Sequence, residues 1–273
     1  MIRRPPRSTL SSSSAASDVY KRQEMIKVMN LKKNYDDFEA VRGIDFNVNE
    51  GEVFGLLGPN GAGKTTTVEI LEGLIEPSSG TATIANLDVV KDSKNVKKMI
   101  GVQLQSVNFF EQLSLYEIIE LFATLYSSSI NPDLILERVD LKKKRGSYFK
   151  TLSGGQKQRL SIAVALVNSP RVLFFDEPTT GLDPQARRNL WDLIKSFQKE
   201  GKTIMLTTHY MEEAEELCDR VAIIDEGKII KIDSPSNLID ELTKSGFKSQ
   251  KKIKDATLED VFISLTGKSL RED

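Results

Sequence analysis

Residues 58–66 read Gly-Pro-Asn-Gly-Ala-Gly-Lys-Thr-Thr and contain the residue types that bind phosphate. The stretch fits the pattern G-x-x-x-x-G-K-[ST], whose backbone N–H groups cradle phosphate oxygens. Its glycines let the backbone approach a pyrophosphate, because no Cβ stands in the way. Lys64 can reach the β- and γ-phosphates, and the Thr65 hydroxyl can bind Mg²⁺. The predicted phosphate-binding residues are Gly58, Pro59, Asn60, Gly61, Ala62, Gly63, Lys64, Thr65 and Thr66.

The segments on either side of this loop predict how it is positioned. Residues 53–57 form an apolar run typical of a buried strand, and residues 64–75 carry apolar side chains at helical spacing. A strand that leads into a helix N-terminus aims loop N–H groups and the helix dipole at an anion. The alternative, a glycine-rich turn with a chance lysine, does not account for both flanks.

Two carboxylates form a second group of candidate residues. The apolar stretch 171–177 ends in Asp176 and Glu177. A strand of this kind is buried on both faces, and its carboxyl end faces a ligand crevice in open α/β sheets. There Asp176 can hold Mg²⁺ and Glu177 can polarise a water molecule. A solvated strand end is the alternative, but two acids at this position are costly without a cation or a task.

His209 is the only histidine in the chain, and it follows the predicted strand 203–208. A lone histidine is usually structural or solvated. This one falls where strand ends line a crevice, so we expect it in the same site as the two acids.

Two helix starts leave their interpretation open. Ser153, Gly154 and Gly155 come just before a helical stretch at 157–167. They form either a second anion site at a helix N-terminus or a plain serine cap with a glycine turn. Asp183 precedes a proline that can open a helix, so the sequence supports a capping role and a functional role for Asp183 equally.

The composition excludes several classes of protein. The 273 residues are 39% hydrophobic, which suffices for one large domain or for one domain with a small subdomain. A net charge of −1 argues against binding nucleic acid through bulk positive charge. Cys218 is the only cysteine, which rules out an internal disulfide and a zinc site of several thiolates and fits a reducing compartment. No apolar run approaches the ~18 residues of a spanning helix, so we expect a chain that can lie beside a membrane without crossing it.

The chain divides into three predicted parts. Residues 1–23 lack apolar periodicity and resemble a translated sequencing-adapter artefact; a flexible tail is predicted, with a basic membrane-touching tail as the alternative. Residues 24–233 form the predicted main domain, in which an antiparallel layer lies beside a buried parallel sheet. Residues 106–160, approximately, suggest a helical insertion in that domain. Residues 234–273 are predicted to be a C-terminal helical tail whose apolar stripe needs a partner surface, in this chain or another.

Other element boundaries follow from periodicity and turn residues. We predict a helix at 211–221 with Cys218 on its apolar side, and a hairpin at 221–232 that turns at Glu226 and Gly227. Tyr35 is predicted to lie in a polar connection between two short strands.

In this order, the motifs resemble those of the ATP-binding subunit of an ABC transporter, over about residues 25–273. The sequence Leu-Ser-Gly-Gly-Gln at 152–156 resembles the family signature, which separates this family from other ATPases with the same phosphate loop. The resemblance implies a P-loop NTPase core of the RecA-like α/β class. That core has a mainly parallel sheet, an antiparallel β subdomain and an inserted helical subdomain.

The resemblance also implies roles for individual residues. Beyond the phosphate loop, the implied ATP contacts are Tyr35, Gln105, Ser153, Gly154, Gly155, Gln156 and Asp183. Of these, Tyr35 corresponds to the aromatic residue that stacks on adenine, and Gln105 to the residue that reports to the membrane subunit. The implied Mg²⁺ ligands are Thr65, Gln105 and Asp176, and the implied catalytic residues are Lys64, Glu177 and His209.

Partners and location follow from the same resemblance. Two chains are expected to face each other head to tail, so that ATP on one chain meets the signature of the other. The pair, most simply a homodimer, would bind an integral-membrane permease at the cytoplasmic face of the membrane, with no nucleic acid. Residues 257–267 resemble the C-terminus of ATPases in drug-resistance exporters of the daunorubicin class, which favours export of drugs or other amphipathic compounds.

Two other classes of protein fit the sequence less well. A soluble ABC ATPase acting on nucleic acid or ribosomes usually carries paired ATPase domains, zinc cysteines or long coiled-coil inserts, and this chain has one set of motifs and one cysteine. A GTPase switch would need an Asn-Lys-x-Asp guanine motif, which the chain lacks.

Overall fold

The computed structural model describes residues 23–103 and 109–245, together with 261, 264 and 265. These residues form a six-stranded sheet, a four-stranded sheet and the helices that pack on them. The strands are β1 (Glu24–Tyr35), β2 (Phe38–Asn49), β3 (Val53–Leu57), β4 (Ser79–Ile84), β5 (Leu87–Asp88), β6 (Ile100–Gln103), β7 (Val172–Asp176), β8 (Thr203–Thr208), β9 (Arg220–Asp225) and β10 (Lys228–Asp233). The helices are α1 (Lys64–Leu71), α2 (Ser93–Met99), α3 (Leu115–Leu125), α4 (Pro132–Arg138), α5 (Gly154–Ala165), α6 (Pro184–Lys199), α7 (Met211–Leu217) and α8 (Pro235–Lys244).

The larger sheet has the strand order β10-β9-β3-β8-β7-β6. Strands β9, β3, β8, β7 and β6 are parallel, and β10 joins the edge as the antiparallel partner of β9. Every residue of β3, β7 and β8 is buried, as expected for a parallel sheet that is covered on both faces. Since these three strands are neighbours, the segments that follow their carboxyl ends meet at one edge of the sheet.

The smaller sheet is antiparallel, with the order β2-β1-β4-β5. Its inner face shares a core with the larger sheet, where Phe46 of β2 stacks on Phe54 of β3 with ring centroids 5.4 Å apart. The α/β class with a mainly parallel sheet and an antiparallel layer, predicted from the sequence, is confirmed.

The described residues between β6 and β7 form α3, α4, α5 and two short 3₁₀ turns at Lys142–Lys144 and Phe149–Thr151. Helix α3 begins with a capping box: the Ser114 hydroxyl accepts from the Glu117 N–H, and Glu117 accepts from the Ser114 N–H at 2.8 Å. The apolar sides of the helices meet in the core that also covers one face of the larger sheet. The buried members from α3, α4 and α5 include Ile118, Ile119, Ile135, Leu136, Leu160 and Ile162.

Several predicted boundaries were wrong for identifiable reasons. The helix predicted at 64–75 ends at Leu71, because Gly73 takes a left-handed φ of 67° and stops it. The helix predicted at 211–221 ends at Leu217, because Cys218 is extended and the N–H of Asp219 bonds to the carbonyl oxygen of Val53, the first residue of β3. Tyr35 is the last residue of β1 rather than part of a polar connection.

Other predictions at this level hold. Strand β8 has the predicted bounds, and the hairpin of β9 and β10 turns at Glu226 and Gly227, both with positive φ. Cys218 is buried in the core.

The chain ends lie partly outside the described residues. Residues 1–22 and most of the predicted C-terminal helical tail beyond residue 245 are not described, including most of the stretch 257–267. Val261 is 3% exposed and packs in the same core as Leu238 of α8, so part of the predicted apolar stripe has a partner within the chain. None of the helices in the described ranges has both the length and the apolarity that crossing a membrane requires.

Candidate functional site

The phosphate loop connects β3 to α1, as its flanks predicted. Gly61 and Gly63 have φ values of 78° and 96°, a region that side chains with a Cβ rarely adopt. A Cβ on Gly63 would lie 2.5 Å from the carbonyl oxygen of Ala40, and one on Gly58 would lie 2.2 Å from that of Ile224. The loop is therefore pressed against two neighbouring strands, and it leaves the N-terminus of α1 free to face an anion.

Lys64 is the first residue of α1 and is only 5% exposed. Its Nζ donates hydrogen bonds to the carbonyl oxygens of Gly58 at 2.8 Å and Pro59 at 2.9 Å. Burial lowers the pKa of Lys64, while the nearby carboxyl groups of Glu177 and Asp176 act to raise it. The ammonium group thus lies between the phosphate loop and the two acids.

Asp176 is the last residue of β7 and is 8% exposed. Its Oδ1 accepts a short hydrogen bond from the Thr207 hydroxyl of β8. Burial raises the pKa of Asp176, the Thr207 hydroxyl opposes this, and the charges of Glu177 and Lys64 act in opposite directions. An aspartate held in this way beside Lys64 is suited to bind a divalent cation.

Glu177 takes a left-handed φ of 46°, a sparsely populated backbone conformation for a residue with a Cβ. Its Oε1 lies 3.1 Å from the Nδ1 of His209, and its Oε2 accepts from the Thr180 hydroxyl at 3.2 Å. The Glu177 N–H donates to the Thr207 hydroxyl at 3.1 Å. The sequence prediction that Glu177 and His209 share one site agrees with this geometry.

Lys64, Glu177 and His209 line one cavity of about 530 Å³ beside the phosphate loop. A cavity of this size lies in the range of small-molecule and cofactor sites. Its lining comprises Tyr35, Phe38, Ala40, Asn60, Gly61, Gly63, Lys64, Thr65, Thr66, Glu177, Thr180 and His209.

Three of these lining residues were missed by the sequence interpretation. Phe38 pairs with Tyr35 across the β1–β2 hairpin and is 58% exposed, so two aromatic rings face the cavity mouth. The available signal in the sequence was a phenylalanine among the acidic residues of 36–39. Ala40 and Thr180 carried no comparable signal, because the contact of Ala40 with Gly63 arises only from the packing of β2 against the loop.

The family signature lies apart from this cavity. Ser153 caps α5, and its side chain and that of Gln156 bond reciprocally to each other's backbone N–H. The serine cap is present, and Ser153 and Gly154 remain exposed at the helix N-terminus, so the cap leaves the alternative of an anion site there open. A Cβ on Gly155 would lie 3.2 Å from Ala186, so the signature packs against the start of α6.

Asp183 caps α6, its Oδ1 accepting from the N–H groups of Gln185 at 3.0 Å and Ala186 at 2.9 Å. The capping interpretation is confirmed, and Asp183 does not line the cavity. Gln105 lies outside the described residues.

The oxygen ligands near the phosphate loop suit Mg²⁺. Within the described ranges, no group of three or more His, Cys, Asp or Glu side chains forms a metal cage. Mg²⁺ usually takes only one or two protein ligands, with phosphate oxygens and waters completing the octahedron. Thr65 at the cavity and the buried Asp176 behind it fit that pattern.

The geometry agrees with the family comparison. A sequence profile of the family described as ABC transporter matches residues 41–180. The chain belongs to this family, and it is an ATP-binding subunit of the type that hydrolyses ATP.

Two named relatives are similar over most of the chain. A Nod factor export ATP-binding protein I from Burkholderia orbicola is 43% identical over 220 residues, covering 79% of this chain and 72% of that protein. The linearmycin resistance ATP-binding protein of Bacillus subtilis is 37% identical over 223 residues, covering 80% and 72%.

Solved structures show the same fold. The ATP-binding subunit of an ABC transporter is 26% identical with a TM-score of 0.76, covering 89% of this chain and 99% of that one. A dimeric ATP-binding cassette in a post-hydrolysis state with ADP and Pi is 28% identical with a TM-score of 0.70, covering 77% and 98%.

Proposed function

We propose that two copies of this chain power an exporter, each copy supplying half of every ATP site. The observation that carries the catalytic part is the meeting of Lys64, Glu177 and His209 in one cavity with the phosphate loop. Tyr35 would stack on adenine, and the loop residues with Lys64 would hold the phosphates. Mg²⁺, bound by Thr65, Asp176 and Gln105, would neutralise charge on the β- and γ-phosphates.

Glu177 is the proposed general base. With its Oε1 directed by His209 and its Oε2 by Thr180, it would orient a water towards the γ-phosphate. Lys64 and His209 would stabilise the negative charge that develops on the transferred group. Positioning and electrostatic stabilisation of this kind supply most of the rate in phosphoryl transfer.

The second half of each site is proposed to come from the partner copy. Ser153, Gly154, Gly155 and Gln156 form an exposed helix N-terminus away from the chain's own cavity. Such an N-terminus favours an anion, and the γ-phosphate bound to the other copy would provide it. Asp183, close to the signature at the start of α6, would reach across the same interface. ATP would then close the pair because it binds the closed form better than the open one, and hydrolysis would release it.

Export is proposed from the named relatives, one in Nod factor export and one in linearmycin resistance. Drugs or other amphipathic compounds would be the cargo, selected by a membrane permease that holds the pair at the cytoplasmic face. We assign catalysis to residues 24–233 and a peripheral role to residues 234–273. The helical part near 106–160 would transmit the closing and opening of the pair to the permease. Neither relative is named for nucleic-acid binding, which disfavours the alternative of a soluble ABC ATPase acting on nucleic acid or ribosomes.

The test is co-expression of the full chain with the membrane protein encoded beside it. We expect a complex that hydrolyses ATP only with Mg²⁺ and that transports an amphipathic dye across vesicles. The Glu177→Gln complex is the control, and it should assemble without transport. A chain that hydrolyses no ATP, or that hydrolyses it as a strict monomer with the signature dispensable, contradicts the proposal.

A further inference from the structure

Glu213 of α7 is fully buried, at 0% exposure, and its carboxyl group contacts three separate segments of the chain. Its Oε1 accepts from the Thr179 hydroxyl at 2.8 Å and from the Trp191 indole N–H at 3.2 Å. The Thr208 side chain lies close to the carboxyl group and acts to lower its pKa, while Oε2 has no hydrogen-bond partner among the described residues. The carboxyl group therefore joins two donors from different segments and lies beside a third polar side chain.

Each of these side chains belongs to a segment that carries part of the proposed site. Thr179 lies two residues after Glu177, in the turn that follows β7. Trp191 lies on α6, the helix that Asp183 caps. Thr208 ends β8 and directly precedes His209, and Glu213 itself lies on α7, which begins two residues after His209. The two hydrogen bonds thus tie the Glu177 turn and the Asp183 helix to the helix that follows His209.

Arg187 of α6 adds a further contact between α6 and the segment that begins at His209. Its guanidinium lies 4.9 Å from the ring centroid of Tyr210, and its Nη1 lies 3.9 Å from Glu212. It also contributes a favourable charge at Glu213. Helix α6 and the segment that begins at His209 are therefore held together by two neighbouring polar contacts.

Packing three segments around a buried carboxyl group costs more free energy than packing them around an apolar side chain. Burial raises the pKa of Glu213, and the nearby side chains of Thr208, Thr179 and Trp191 only oppose that effect. Apolar residues of similar volume often replace buried polar groups without loss of stability. Packing alone therefore gives no reason for a glutamate here, whereas a need for fixed relative positions does.

We propose that Glu213 is a positioning residue for ATP hydrolysis: it fixes the turn after Glu177 relative to the His209 segment, so that the two side chains meet. Glu213 does not line the nucleotide cavity, so it acts through Thr179 and through α7, the helix that follows His209, rather than on substrate. The inference rests on the proposed roles of Glu177 and His209. Because Trp191 of α6 is the second donor, Glu213 also couples the position of α6 to these two residues.

The test compares two substitutions at Thr179, which is itself fully buried. Thr179→Val keeps the shape and removes the hydroxyl donor, whereas Thr179→Ser keeps the donor and removes a methyl group. Glu213→Gln weakens both hydrogen bonds with little change in volume, and Glu215→Gln on the exposed surface of the same helix is the matched control. For each full-length variant, kcat, KM for ATP and the melting temperature without nucleotide are measured.

A positioning role predicts that Thr179→Val and Glu213→Gln lower kcat about tenfold with KM within about twofold, because a small misplacement of catalytic groups is costly. Thr179→Ser should restore most of the rate, and Glu215→Gln should match the wild type. A packing role predicts the reverse order of kcat values: Thr179→Ser would be slower than Thr179→Val, and kcat would follow the melting temperature. That result would overturn the proposal. Unchanged kcat in both Val and Gln variants would also overturn it. An inactive wild type would instead contradict the proposed function.

Discussion

The Nδ1 of His209 lies 3.1 Å from the Oε1 of Glu177, although the two residues are 32 positions apart in the chain. Each follows the carboxyl end of its own strand, β8 for His209 and β7 for Glu177, and these strands are paired in parallel. The contact is therefore a consequence of sheet order, and it directs one carboxylate oxygen into the cavity that Lys64 also lines.

Glu177→Gln should bind ATP and lose turnover. The amide keeps the shape of the side chain but cannot accept a proton from water, so kcat should fall by about 10²–10⁴-fold, the usual worth of a general base. Single-turnover hydrolysis measured beside ATP binding checks this. The variant should also accumulate as an ATP-bound dimer in size-exclusion chromatography. Rapid steady-state hydrolysis by the variant would remove Glu177 from the proposed role.

Lys64→Ala should weaken nucleotide binding. Its Nζ is the buried cation beside the phosphate loop, and its removal leaves the two carboxyl groups facing the phosphates without compensation. Isothermal calorimetry should give a Kd for ATP at least roughly tenfold higher, since a charge-assisted contact is worth about 1.5–3 kcal/mol. The exposed Lys94 of α2 provides the control as Lys94→Ala. Equal affinities for the two variants would contradict the prediction.

Gly63→Ala should disable the phosphate loop more than Gly61→Ala does. Both glycines have positive φ, so both substitutions incur the conformational cost of about 1–2 kcal/mol. A Cβ on Gly63 would also lie 2.5 Å from the Ala40 carbonyl oxygen, whereas a Cβ on Gly61 has nothing within 4 Å. ATP affinity should therefore fall much further for Gly63→Ala. Similar affinities would show that the contact with Ala40 does not set the loop position.

The difference between these two glycines illustrates what the sequence could and could not predict. Their place in the motif predicted that both face phosphate, because the motif is a local pattern. Similarly, the strand positions of Asp176 and His209 predicted one shared edge of a parallel sheet. The contact of Gly63 with Ala40, the place of Phe38 at the cavity mouth and the hydrogen bonds of Glu213 depend on segments distant in sequence. No local pattern encodes them.

Glu72→Gln should stabilise the chain at alkaline pH. Glu72 is 3% exposed, and burial above all, with the charges of Asp176 and Glu69, raises its pKa to about 8. Its pKa in the folded state lies above the ordinary glutamate value of 4.5, so the folded state binds the proton more tightly and stability falls as pH rises between about 4.5 and 8. Thermal melts should show Glu72→Gln gaining roughly 3 °C or more over the wild type at pH 8.5, and little at pH 5. A gain that is equal at both pH values would contradict the prediction.

Ser153→Arg should block ATP-driven dimerisation while sparing ATP binding by the single chain. Ser153 is exposed at the start of α5 and does not line the cavity that contains Lys64, so the arginine cannot reach nucleotide on its own chain. In the proposed pair it would stand where the partner's γ-phosphate must fit, and its bulk would keep the two copies apart. Light scattering with ATP and Mg²⁺ in the Glu177→Gln background measures dimer formation, and Asn95→Arg on the exposed surface of α2 controls for added charge. If Ser153→Arg dimerises as readily as Asn95→Arg, the signature does not contribute to the partner's ATP site.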